Sequence, residues 1–77
     1  MIQKYKFVEK NIDMLRNLTK EGYVSPTLLA YYHIYKSYMS IKNIGKIERY
    51  KTVSAETGSS VTTVRRAVAS MKSYVKN

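Results

Sequence analysis

The stretch Arg49 to Tyr74, RYKTVSAETGSSVTTVRRAVASMKSY, decides how this chain folds, because it carries two helical patterns joined at a single glycine. In the second pattern Val61, Val64, Val68, Met71 and Val75 recur at spacings of three and four, which places all five on one narrow stripe of a helix. Thr62, Arg65, Arg66, Ala69, Ser73 and Lys76 fall on the opposite face, where no acidic residue stands. One side of this helix is therefore expected in a core, and the other against an anionic partner.

Between the two patterns, Gly58 stands where a left-handed residue is needed to end the first helix. Ser59 and Ser60 follow it. Ser60 suits the N-cap of the next helix, since its hydroxyl can accept a hydrogen bond from an amide two or three residues on. A helix that starts so soon after the glycine forces a sharp bend. The first helix of the pair is expected over Lys46 to Thr57, with Ile47, Tyr50 and Val53 inward and Lys46, Arg49 and Lys51 outward.

These residues resemble the broad helix-turn-helix family of bacterial and phage regulators. Its signature is a small residue, a turn glycine four positions on, and an aliphatic residue six beyond that. Ser54, Gly58 and Val64 occupy those positions, and Thr63-Val64-Arg65-Arg66-Ala67-Val68 is similar to the recognition-helix run of many members. The likeness covers about a third of the chain. Ser54 replaces the usual alanine, and Thr57 and Ser59 stand where an aliphatic residue commonly seals the turn, so the elbow is expected to be less apolar than usual.

The resemblance implies base contacts from Ser60, Val61, Thr62, Arg65, Arg66 and Ala69. The helical wheel independently places Thr62, Arg65, Arg66 and Ala69 on the open face, while Val61 also borders the core stripe. Phosphate contacts are expected from Arg49, Lys51, Thr63, Lys72, Ser73 and Lys76. Read without the resemblance, the same periodicity fits an ordinary amphipathic helix pair with a solvated basic face, since both arrangements bury the valine stripe.

Composition agrees with an anionic partner. The 14 Lys and Arg outweigh 5 Asp and Glu for a net charge of +9, and residues 46 to 77 hold +5 of it. The 77 residues make one domain, near the size at which a single core is only marginally sufficient. With no cysteine, stability must come from packing or oligomerisation. No apolar run approaches the length of a signal peptide or a membrane span, so the cytoplasm is the expected location.

Upstream, Ile2 to Lys20 reads as an amphipathic helix with Tyr5, Val8, Ile12 and Leu15 on a stripe and Phe7, Met14 and Leu18 beside it. Its outer charges are mixed, which suits packing better than DNA contact. Ser25 and Pro26 open a second helix that runs to about Lys42. Five of the eight tyrosines lie between Tyr23 and Tyr38. Leu28, Tyr32, Tyr35 and Met39 form one face of this helix and Tyr31, Ile34, Tyr38 and Ile41 a second, leaving His33, Lys36, Ser37 and Ser40 as a polar strip.

A helix apolar over so wide an arc must be covered on two sides, which places it between the first helix and the C-terminal pair. Its spare tyrosine face is expected to meet either the first helix or a second subunit. In a homodimer two recognition helices would enter successive major grooves about 34 Å apart. The tyrosines could alternatively serve as a stacking platform for single-stranded bases, but such platforms are usually presented on sheets or grooves, and no segment alternates as a strand.

Other chemistry is poorly supported. His33 has no second histidine or cysteine to share a metal, the five carboxylates show no acid-base pairing, and the three glycines are isolated. Neither enzymatic activity, a cofactor nor a small-molecule ligand is expected. The reading is an all-α domain of about four helices, with residues 1 to 42 as supporting and dimerising elements and 46 to 75 as the helix-turn-helix. Its expected function is sequence-specific binding of double-stranded DNA to regulate transcription by site occupancy, in the style of small phage or plasmid regulators. A recombination or packaging accessory factor, of excisionase or terminase small-subunit type, is the alternative within the fold. A basic adaptor for an acidic protein is the alternative outside it.

Overall fold

A computed structural model describes residues 1 to 75. The chain is all-α, with α1 (Lys4–Lys10), α2 (Ile12–Lys20), α3 (Pro26–Ser40), α4 (Lys46–Thr57) and α5 (Val61–Lys72). The count exceeds the expected four because the N-terminal helix breaks at Asn11. There the backbone takes φ −115° and ψ 24°, and the side-chain amide Nδ2 donates to the Phe7 carbonyl at 2.9 Å. An asparagine that hydrogen-bonds its own backbone competes with helix propagation. The stripe survives the break: Val8 and Leu15 are buried, with Tyr5 and Ile12 packed against them. Met14, expected beside the stripe, is 51% exposed.

α3 begins as its sequence requires, with the Ser25 hydroxyl accepting from the Thr27 amide at 3.3 Å and Pro26 in the first turn. It is the one helix packed against all four others, and Tyr32, Ile34, Tyr35 and Tyr38 are buried along it. Much of the wide apolar arc is thus covered from within the chain. Met39 stays partly exposed. The helix stops two residues short of Lys42, because Ile41 is extended and Asn43 takes a left-handed φ of 67°.

The tyrosines form a continuous internal seam. Tyr5 stacks on Tyr32 at 6.0 Å between ring centroids and meets Tyr35 edge-on at 5.0 Å. Tyr35 stacks on Tyr38 at 6.1 Å, and Tyr38 on Tyr50 at 5.6 Å. The run ties α1 through α3 to α4, at separations where aromatic pairs add to their area burial. Three of these rings are buried and two are packed at the core edge, so the ring faces along the seam are largely taken up by one another and by the core.

Burial raises the phenols of Tyr5, Tyr32 and Tyr35 above the ordinary value, and the Glu9 carboxylate pushes Tyr5 and Tyr32 further the same way. A phenol held neutral by folding stabilises the fold fully below the unfolded value of about 10, and that stability is lost as pH rises through the raised values. In an alkaline titration these three phenols should ionise later than in the denatured chain, with helical circular dichroism lost over the same range above about pH 10. Ionisation of every tyrosine near pH 10 with the helices intact would contradict this packing.

At the other end, α5 stops at Lys72 instead of continuing to Val75. Ser73 is extended and donates its hydroxyl to the Ser70 carbonyl at 2.6 Å. The two chain ends then pair antiparallel: the Lys4 amide donates to Ser73 at 2.7 Å and the Val75 amide to Ile2 at 2.9 Å. The buried side of α5 comprises Val64, Ala67, Val68 and Met71. Ala67 precedes Met71 by one turn and lies on the same stripe, whereas Val61 at the first helical position is 38% exposed. No helix of the described residues is long and apolar enough to cross a membrane.

Candidate nucleic-acid interface

The elbow between α4 and α5 is built from polar side chains. Gly58 takes φ 74° and ψ 7° and its amide donates to the Ser54 carbonyl at 3.0 Å, a conformation that would strain any residue with a Cβ. Ser54 donates its hydroxyl to the Ser59 carbonyl. The Thr57 hydroxyl donates to the Val53 carbonyl at 2.8 Å while accepting from the Ser59 amide at 3.4 Å. The three positions that depart from the apolar pattern of the helix-turn-helix signature therefore hold the turn by hydrogen bonds instead of by an aliphatic seal.

Ser60 caps α5. Its hydroxyl accepts from the Thr63 amide at 3.1 Å and donates to the Thr63 hydroxyl at 3.0 Å. Both hydroxyls, expected on a base and on a phosphate respectively, are thus engaged in starting the helix.

Beyond the cap, α5 turns one face outward. Thr62, Arg65, Arg66 and Ala69 are exposed and, with Tyr50, line a shallow groove. Beside it runs a second groove lined by Lys46, Ile47, Tyr50, Lys51, Val61 and Arg65. Arg65 and Tyr50 belong to both grooves, so the two form one continuous surface, and neither has an acidic side chain in its lining. Four of the six base-contact candidates stand together in the first groove, and Val61 stands in the second beside Lys51.

The other phosphate candidates lie elsewhere. The Arg49 guanidinium, expected outward, is held inward: Nε and Nη2 donate to the Tyr38 carbonyl at 3.1 and 2.9 Å, and its Cζ lies 3.9 Å from the Tyr38 ring centroid. Two hydrogen bonds and a cation–π contact make it a clamp between α3 and α4. Lys72 also leans over Tyr38, its Nζ 5.9 Å from the ring centroid. Ser73 belongs to the paired chain ends. Lys76 falls outside the described residues.

Lys46, exposed as expected, and Ile47 and Tyr50 line the grooves without having been among the expected contacts. Ile47, expected inward, is 70% exposed. At 100° per residue it lies about 120° round α4 from the fully buried Val53, and that angle was the signal. Tyr50, midway between them, is half-buried: its ring stacks on Tyr38 while its edge lines both grooves.

No protein-family model, curated protein or solved structure matches this chain.

Proposed function

We propose that α4, the Gly58–Ser60 turn and α5 act as a helix-turn-helix that binds double-stranded DNA with α5 in the major groove. The protein would then regulate transcription by occupying its site. The supporting observation is the acid-free face of α5, where Thr62, Arg65, Arg66 and Ala69 stand exposed beside Lys46 and Lys51 of α4. Small and cationic side chains on one helix face suit entry into a groove between phosphates. Arg65, walled by Tyr50, is assigned to a base edge. Arg66, Lys46 and Lys51 are assigned to phosphates, and Arg49 holds α4 in place without touching DNA.

Affinity for random duplex DNA should fall linearly with salt on logarithmic axes. Three phosphate contacts give a slope of about −3, from roughly −0.9 per contact. A chain without duplex affinity even at low salt would be a protein adaptor instead. Selection from a random duplex pool then separates a regulator, which enriches one sequence, from a recombination or packaging factor with loose preference.

A further inference from the structure

We infer that the groove between α4 and α5 reads the C5-methyl group of a thymine, with Ile47 and Val61 as its walls. The inference rests on the reading of α5 as the DNA-facing helix and adds a base identity to it. Ile47 is 70% exposed and Val61 38% exposed, an apolar pair open to water beside the arginine assigned to a base edge. Tyr50, Lys46, Lys51 and Arg65 complete the lining, so the occupant that fits best brings apolar surface within an anionic frame. A thymine in the major groove does this: its methyl group is the one apolar feature among the base edges, flanked by phosphates on its own strand.

The position follows from helix geometry. Val61 and Arg65 are one turn apart, about 6 Å along the axis, or nearly two base-pair steps of about 3.4 Å. An arginine at a base edge pairs best with guanine O6 and N7, so with α5 lying along the groove the thymine falls within about two base pairs of the guanine that Arg65 reads.

The test uses the full chain and the duplex enriched from a random pool, with each thymine replaced singly by 2′-deoxyuridine. The replacement removes the methyl group and leaves the hydrogen-bonding edge unchanged. One position near the guanine should lose about fourfold in affinity, the worth of one buried methyl group. Ile47→Ala should bind the thymine duplex correspondingly more weakly and respond less to the same replacement. Because Ile47 is mostly exposed and alanine favours a helix, this variant should keep the parent's circular dichroism. If no thymine replacement matters while binding and the guanine preference persist, the thymine assignment is wrong and the DNA reading stands. If Ile47→Ala binds every duplex as the parent does, Ile47 does not touch a base and the assignment is likewise overturned. If the chain enriches no duplex at all, both readings fall.

Discussion

Tyr38→Ala should leave little folded protein at ordinary temperatures. Tyr38 is buried where α3 meets α4, stacked between Tyr35 and Tyr50 and covered by the Arg49 guanidinium, which also hydrogen-bonds its carbonyl. Truncating a buried aromatic ring costs about 3–5 kcal/mol, and each lost aromatic pairing adds about 0.5–1.5 kcal/mol. A chain of 77 residues has a total stability of only about 4–12 kcal/mol at the usual value per residue. At about 4–8 °C per kcal/mol for a domain of this size, the thermal midpoint should drop by at least about 12 °C. Tyr38→Phe keeps the ring and should melt close to the parent. A thermal scan followed by circular dichroism decides it, and a Tyr38→Ala midpoint within a few degrees of the parent would mean that the seam does not hold α4 in place.

The second large effect concerns binding. Arg65→Ala should weaken the preferred duplex by about 1–3 kcal/mol, roughly 5- to 150-fold, and relax the choice of base at one position. Arg66→Ala should instead weaken all sequences alike and reduce the salt slope by about one. The two roles differ because neighbouring side chains on a helix diverge by about 100° and cannot reach the same base pair. Both residues are exposed, so neither change should unfold the chain. Parent-like binding by both folded variants would show that this face of α5 does not meet DNA.

Features governed by one or two neighbouring residues were legible in the sequence. Ser25 with Pro26, Ser60, and the left-handed Gly58 mark helix ends by local chemistry, and the structure places each of them there. Periodicity likewise located Val64, Val68 and Met71 in the core and Thr62, Arg65, Arg66 and Ala69 outside it. What was not legible depends on tertiary partners or on register near helix ends. Asn11 breaks a pattern that continues through it in hydrophobicity. α5 yields Val75 to a pairing with residues distant in sequence. Arg49 looks like a surface cation until the Tyr38 carbonyl and ring are placed beside it. Ile47 shows how a stripe read at every third residue drifts, since two such steps rotate it well away from the core.

The most direct test of the DNA reading is a titration of the chain with random duplex DNA at low salt, followed through its backbone amide resonances. Binding through the proposed surface should shift amides concentrated in residues 60 to 69 and 46 to 51, and the shifts should collapse as salt is raised. Amides that stay unmoved at low salt, or shifts confined to α1 and α2 while α5 stays unmoved, would contradict it.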